Sequence, residues 1–199
     1  MSRRIGVYAG SFDPVHKGHI AFALEAIEIA NLDEVHFLAE TKPRYKPGIS
    51  HASHRLAMLK LATRAHPKLH VLELPDKQFA VATTLPRIRK KFPQDELLFL
   101  LGSDVLMHMP RWPLVEELLL QVGLIVAVRS EAEVSHVMSA INELPRPLRE
   151  LHIIESLEPA AASRHVRQSI RLGHIPRDIL PSVHAYAKKH WLYDVVPTE

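Results

Sequence analysis

Short apolar runs alternate along the chain with segments in which apolar residues recur at helical spacing. Residues 5–9 form an apolar run that predicts a strand, and Gly10 ends it. Ile20, Leu24 and Ile27 then lie on one face of a predicted helix. The same criteria predict further strands over residues 34–38, 69–74, 96–101, 123–128 and 151–154, and further helices over residues 51–65, 83–91, 114–120, 131–143, 163–172 and 178–189.

Strands that alternate with helices at this spacing are typical of an α/β fold with a doubly wound parallel sheet. Residues 96–101 and 123–128 are apolar at nearly every position, which indicates strands covered on both faces. The pattern weakens after Val128, and two helices close the chain. We therefore expect one domain over residues 1–199, with a core over about 1–155 and a small helical C-terminal lobe over about 156–199.

Composition narrows the possible classes of protein. The 199 residues include 25 Lys and Arg against 22 Asp and Glu, so the formal net charge is only +3 and fits any anionic ligand. The chain has no cysteine, which excludes disulfides, thiolate metal sites and cysteine nucleophiles. No signal sequence and no membrane span is predicted, and we expect a cytoplasmic protein that has no membrane partner.

The loop after the first strand carries the candidate chemistry, because ligands of parallel sheets bind beyond the carboxyl ends of strands. Residues 10–19 read Gly-Ser-Phe-Asp-Pro-Val-His-Lys-Gly-His, which is neither a dinucleotide fingerprint nor a P-loop. His16 and His19 lie at a predicted helix N-terminus, where free N–H groups attract phosphate, and a bound polyphosphate would favour protonated imidazoles. The alternatives are two surface histidines, or a zinc site with Asp13 as third ligand.

The loop also resembles the His-x-Gly-His signature of the nucleotidyltransferase superfamily, in the residues His16-Lys17-Gly18-His19. Within that superfamily the chain is most similar to the bacterial nicotinate-nucleotide adenylyltransferases, over almost its whole length. The resemblance implies a Rossmann-like fold and the transfer of AMP from ATP to nicotinate mononucleotide in NAD biosynthesis. It rests further on Pro43 with Lys46, residues 54–58, Thr84-Leu85, Gly102-Ser103-Asp104, Pro110-Arg111-Trp112 and residues 184–193.

This resemblance implies a role for particular residues of the ATP site. His16 and His19 would be the catalytic residues, in contact with the ATP phosphates, and Mg²⁺ would be carried on the β- and γ-phosphates. Ser163 is expected to cap a helix, and Asp104 either holds the nucleoside or caps a helix. The full set implied for ATP binding is Gly10, Ser11, Phe12, Gly18, Gly102, Asp104, Ser163 and Arg167.

The sequence departs from the family pattern at two places. Where the family carries Ile-Ser-Ser-Thr-x-x-Arg, this chain has Ala162 and Arg164 in place of two hydroxyl residues, and Arg164 either supplies a charge or faces solvent. On the acceptor side the family's Ser-Tyr-Thr-x-x-Thr-Leu stretch appears as residues 79–85, Phe-Ala-Val-Ala-Thr-Thr-Leu. Tyr45 replaces a histidine and Pro113 an aromatic residue.

Lys46, Thr84 and Trp112 are the residues implied for acceptor binding. Trp112 either stacks on a pyridine ring or anchors its own loop. Because the departures cluster on this side, two other functions stay open: transfer to another acceptor, such as nicotinamide mononucleotide, or a non-catalytic nucleotide-binding paralogue. The basic residues near 87–91 have little aromatic interleaving, so no nucleic-acid partner is expected.

Overall fold

The computed structural model describes residues 2–43, 48–155 and 162–193. Its strands and helices alternate from the N-terminus to the end of the last strand, as the apolar pattern predicts. The strands are β1 Arg4–Gly10, β2 Glu34–Ala39, β3 Leu69–Leu72, β4 Glu96–Gly102, β5 Val122–Val128 and β6 Leu151–Glu155. The α-helices are α1 Lys17–Ile29, α2 Ala52–Thr63, α3 Val81–Lys91, α4 Ser103–Leu106, α5 Val115–Gln121, α6 Glu131–Asn142, α7 Ser163–Arg171 and α8 Pro181–Lys189.

The strands form one parallel sheet of order β3-β2-β1-β4-β5-β6. The order reverses between β1 and β4, which lie side by side with Ile5 opposite Leu97 and Tyr8 opposite Leu100. In a doubly wound sheet this reversal opens a crevice at the carboxyl ends of the two strands. The predicted fold class is confirmed, and the loops after β1 and β4 meet at the crevice.

Each face of the sheet has its own hydrophobic core. On one face, Val7 and Phe99 pack with residues of α3, α5 and α6, such as Leu85 and Leu118. On the other face, Leu98 and Leu100 pack with α1, α2, α7 and α8. Side chains along β4 alternate between the two cores because successive residues of a strand point to opposite faces. The C-terminal helices therefore share a core with α1. We call the loop between β1 and α1, residues 11–16, the histidine loop.

Most element boundaries differ from the prediction by one or two residues, and two places differ by more. The last helix begins at Pro181 and not at residue 178, because proline fits the first turn of a helix, where its missing N–H group costs no hydrogen bond. Residues 103–111, left unassigned by the periodicity, contain the one-turn helix α4 and a 3₁₀ turn, Met109–Arg111. Within the described ranges, no helix is long and apolar enough to cross a membrane.

Candidate active site

A cleft of about 630 Å³ opens at the carboxyl ends of β1 and β4. Its walls come from the loop after β1, the start of α1, the start of α4 and the start of α7. The structure thus brings together segments that are far apart in the sequence. Every residue predicted for catalysis or ATP binding lines this cleft: Gly10, Ser11, Phe12, His16, Gly18, His19, Gly102, Asp104, Ser163 and Arg167.

The two histidines lie against each other at the N-terminus of α1. Their ring centroids are 3.7 Å apart, and the Nδ1 atom of His19 accepts a hydrogen bond of 3.2 Å from the backbone N–H of His16. In the neutral form of His19 the proton is therefore on Nε2, which can donate to an anion. The acceptor role of Nδ1 in this contact therefore assigns the proton of neutral His19 to Nε2.

His16 is uncharged in the protein alone at neutral pH. Its side chain is buried, with 5% of its surface exposed, and burial, together with the nearby charge of Arg129, lowers its pKa to about 4. The Nδ1 atom of His16 has no hydrogen-bond partner in the described part of the chain. A bound polyphosphate would act in the opposite direction to Arg129, since a nearby negative charge favours the imidazolium.

Gly10 and Phe12 give the loop its close packing. A β-carbon on Gly10 would lie 3.0 Å from the ring of Phe12, closer than neighbouring side chains normally approach. Phe12 has a φ of 48°, and its ring packs edge-on against those of Tyr8 and His19 at centroid distances of 5.3 and 5.1 Å. Phe12 therefore offers its backbone to the cleft, while its buried ring supports the imidazole of His19.

Gly102 and Asp104 follow β4 at the same edge of the sheet. Asp104 lies in the first turn of α4 after Gly102, so it does not cap that helix, and its side chain is 71% exposed. Its carboxylate lies 3.8 Å from the guanidinium of Arg129, which also lines the cleft. A β-carbon on Gly102 would meet only Asp104, at an ordinary 3.8 Å, so the described residues do not themselves require glycine there.

The start of α7 faces the histidine loop. Ser163 is the first residue of α7 and not its cap, because Ala162 occupies the capping position, and the Ser163 hydroxyl donates instead to the carbonyl of Pro14 at 2.9 Å. Arg167, one turn further on, donates to the carbonyl of Asp13 at 2.6 Å. Arg164 is exposed and lines the cleft with Arg129 and Arg167. The cleft therefore carries a cluster of three guanidinium groups.

Arg55 is a residue for which the sequence interpretation gave no role. It is completely buried, and its guanidinium donates to the backbone carbonyls of Ser11, Thr41 and Ser50 at 2.6, 3.0 and 3.0 Å. It thereby ties the histidine loop to the segments that precede α2. A signal was available, since Arg55 stands three and four residues before the buried Met58 and Leu59, at a position where the helix would otherwise be apolar.

Arg129 was also missed. It directly follows the buried strand β5, just as Ser103 and Asp104 follow β4. Charged residues that come directly after buried parallel strands lie at the ligand-binding edge of the sheet. The argument that selected Asp104 therefore also applies to Arg129.

Thr84 and Trp112, two of the residues predicted for acceptor binding, do not line this cleft. Thr84 is buried at the start of α3, where its hydroxyl accepts a hydrogen bond of 3.1 Å from the backbone N–H of Ala80. Trp112 is half-buried and packs against Phe79, with ring centroids 5.9 Å apart. Lys46 and Tyr45 lie outside the described residues. The contact with Phe79 corresponds to the loop-anchoring alternative for Trp112, and acceptor binding by the three residues stays a prediction.

Solved structures resemble this fold. Nicotinic acid mononucleotide adenylyltransferase from Plasmodium falciparum, complexed with NaAD, superimposes with a TM-score of 0.79 and covers 96% of this chain and 97% of its own. A second structure of that protein, complexed with APC, gives a TM-score of 0.77. The sequence identities are 20% and 19%, so this likeness concerns the fold.

The family is settled at the level of sequence. A cytidylyltransferase-like family model matches residues 7–169, so the chain belongs to the cytidylyltransferase-like family and the protein is a nucleotidyltransferase. Within this class it belongs with the nicotinate-nucleotide adenylyltransferases. A probable nicotinate-nucleotide adenylyltransferase from Carboxydothermus hydrogenoformans is 33% identical over 84% of this chain and 86% of its own length. Another, from Thermus thermophilus, is 32% identical over 96% of this chain and 99% of its own length.

Proposed function

We propose that the protein transfers AMP from ATP to nicotinate mononucleotide, giving deamido-NAD and pyrophosphate. The observation that carries this proposal is the His16–His19 pair at the start of α1, with ring centroids 3.7 Å apart, in a cleft that is also lined by three arginines. Helix N–H groups, imidazoles and guanidiniums all donate to phosphate oxygens. The names of the relatives support nicotinate mononucleotide as the acceptor.

The reaction is a nucleotidyl transfer in which atoms and charge balance. An oxygen of the acceptor's phosphate attacks the α-phosphorus of ATP, and the bond from that phosphorus to the bridging oxygen of the β-phosphate breaks. The electron pair of the broken bond leaves with pyrophosphate. The attacking phosphate is already anionic at neutral pH, so the reaction needs alignment and charge stabilisation more than a strong base.

In this proposal, His16 and His19 stabilise negative charge on the phosphates during transfer. His19 donates through Nε2, because its Nδ1 is occupied by the amide of His16. Arg164 and Arg167 lie at the start of α7, where they can hold the leaving pyrophosphate. The amides after Gly10 and the residues Gly102 and Asp104 contribute to the same nucleotide site.

We infer that Mg²⁺ enters with ATP, on its β- and γ-phosphate oxygens, and belongs to the substrate. Over the described ranges, no group of three or more histidine, aspartate or glutamate side chains is arranged to hold a metal ion. Asp104 is the exposed carboxylate of the cleft, and it already faces Arg129. The residues of the cleft thus suit the anionic part of a magnesium–ATP complex.

A second candidate keeps the reaction and changes the acceptor to nicotinamide mononucleotide or another phosphorylated metabolite. The departures from the family pattern at residues 79–85 favour this second candidate, because the tyrosine and the first threonine of that pattern are missing here. A non-catalytic nucleotide-binding protein, the other function left open by the sequence, is not favoured by any contact in the cleft. The intact pair of His16 and His19 argues against it, since a protein that only binds nucleotide has less need of both imidazoles.

Pyrophosphate release tests the proposal. The purified protein is incubated with ATP, Mg²⁺ and one acceptor at a time. The acceptors are nicotinate mononucleotide, nicotinamide mononucleotide and phosphopantetheine. We expect release with nicotinate mononucleotide at the highest kcat/KM. Preference for another acceptor would overturn the assigned substrate, and no release with any of them, beside an active control enzyme, would overturn the enzyme proposal.

A further inference from the structure

A buried carboxylate, that of Asp13, lies within the histidine loop itself. Asp13 is only 2% exposed, and its Oδ1 atom accepts a hydrogen bond of 2.7 Å from the hydroxyl of Tyr193. Its Oδ2 atom accepts one of 3.3 Å from the backbone N–H of Ser50 and lies 4.0 Å from the guanidinium of Arg167. A buried charge is costly unless it is paired, so these partners determine where Asp13 lies.

Tyr193 reaches Asp13 from the far end of the described chain. After α8, Trp191 and Tyr193 both adopt left-handed backbone conformations, with φ of 53° and 69°. Non-glycine residues rarely adopt this conformation, and it persists where the surroundings hold it. The side chain of Tyr193 packs against the core that contains Phe12 and Val15. The turn after α8 therefore places one hydroxyl group on the carboxylate of Asp13.

The C-terminal lobe makes several further hydrogen bonds with the histidine loop and the start of α1. Ser163 and Arg167 of α7 donate to the carbonyls of Pro14 and Asp13, and the backbone N–H of Lys17 donates to the carbonyl of Asp178. Most of these contacts use backbone carbonyls. The hydroxyl of Tyr193 instead donates to a buried carboxylate, that of Asp13, three residues before His16, and Arg167 lies near the same carboxylate.

We propose that Asp13 and Tyr193 are positioning residues that align His16 and His19 with the α-phosphorus of ATP, and that the C-terminal lobe is in this way part of the catalytic apparatus. The proposal rests on the proposed function. In this proposal the pair acts on the two histidines through the backbone of the loop. Burial and the charge of Asp13 raise the pKa of Tyr193, so its hydroxyl stays protonated and donates throughout the range of an assay.

Tyr193→Phe tests this role by deleting one hydroxyl group. We expect kcat to fall by about tenfold, because small misplacements of catalytic groups cost up to about 10²-fold in rate. We expect the KM of nicotinate mononucleotide to stay within about twofold of the wild-type value. The alignment of the histidines stabilises the transition state and does not affect binding of the acceptor in the ground state. The matched control is Tyr186→Phe in the same lobe, because the hydroxyl of Tyr186 contacts His54 of α2 at 3.0 Å and not the carboxylate of Asp13.

A second readout does not depend on turnover. The imidazole resonances of His16 and His19, assigned with His→Ala variants, should shift in Tyr193→Phe and stay in place in Tyr186→Phe. Unmoved resonances, or equal effects of both variants on kcat, would overturn the positioning role. A folded Tyr193→Phe with a lower melting temperature and wild-type kcat would also overturn it. If the wild type turns over no acceptor, the proposed function fails while the resonances still decide whether Tyr193 aligns the histidines.

Discussion

At the scale of single residues, His16 and His19 owe their arrangement to one helical turn. His16 is the N-cap of α1 and His19 is the third residue of that helix, and side chains at these two positions lie next to each other at a helix start. Their surroundings then make them differ. His16 is buried beside Arg129, whereas His19 is held by the amide of His16 and the ring of Phe12.

Removing either imidazole should affect turnover far more than folding. For His16→Ala and His19→Ala we expect kcat/KM to fall by about 10²-fold or more, the range found when a donor to developing charge is deleted. Pyrophosphate release gives the rate, and chemical denaturation gives the free energy of unfolding. His66→Ala is the control. His66 precedes β3 and so lies at the amino ends of the strands, whereas the cleft lies at their carboxyl ends. Near-full activity of either active-site variant would show that the pair does not bind the reacting phosphates.

At the scale of secondary-structure elements, α3 illustrates how one side chain can serve structure and function. Its capping position is occupied by Ala80, which has no side-chain acceptor, and the hydroxyl of Thr84 accepts the N–H of Ala80 instead. Thr84 is also one of the residues predicted to bind the acceptor. Because the side chain of Thr84 is completely buried and bonds the backbone of Ala80, it has a structural role at the start of α3.

Thr84→Val separates the two tasks, because it replaces the hydroxyl with a methyl group of similar size. We expect the free energy of unfolding to fall by about 1–3 kcal/mol, the cost of leaving a buried N–H without its partner. Thr83→Val, at the exposed neighbouring position, is the control and should be close to neutral. A rise in the acceptor's KM for Thr84→Val alone would support acceptor binding. Unchanged stability would contradict the structural task.

At the scale of the whole molecule, the C-terminal lobe is continuous with the core. Val166 and Ile170 of α7 and Val183 of α8 pack in the same cluster as Phe12 and Val15 of the histidine loop. We therefore propose that residues 1–199 fold as a single domain. The lobe is then a wall of the active site, held to it by the hydrogen bonds of Ser163, Arg167 and Tyr193.

Acid should destabilise the whole protein through its buried histidines. The folded-state pKa of His16 is about 4 against 6.5 for the free side chain, and burial also lowers the pKa of His36. Between pH 6.5 and pH 4 the unfolded chain binds more protons than the folded one. The free energy of unfolding therefore falls as the pH falls from 6.5 towards 4. The contribution of His16 is about 3 kcal/mol.

Denaturant unfolding at several pH values measures this dependence. In His16→Asn the free energy of unfolding should fall less steeply between pH 6.5 and 4 than in the wild type. His66→Asn, as a control, should keep the wild-type slope. Equal slopes in His16→Asn and the wild type would mean that His16 is not held neutral by the fold.

The sequence by itself determined the order of the elements and the place of the site. The strands of a parallel sheet are buried on both faces and therefore read as apolar runs, and a loop after such a strand must lie at the ligand-binding edge. Residues 10–19, Gly102 and Asp104 were selected on that argument and on a family resemblance. The one-turn helix α4 and the start of α8 at Pro181 were less well determined. A helix of one turn has no periodicity to detect, and periodicity alone does not mark the first residue of a longer helix.

Only the tertiary structure decided which side chains reach one another across the chain. Ser163 was predicted to cap its helix and instead donates to Pro14, because the α7 N-terminus packs on the histidine loop. Arg55 and Tyr193 are separated from the loop by many residues, and no local pattern encodes a contact over that distance. Periodicity gives each residue's face, whereas the partner on that face depends on how the layers pack. The catalytic pair is therefore local, and the network that positions it is a product of the fold.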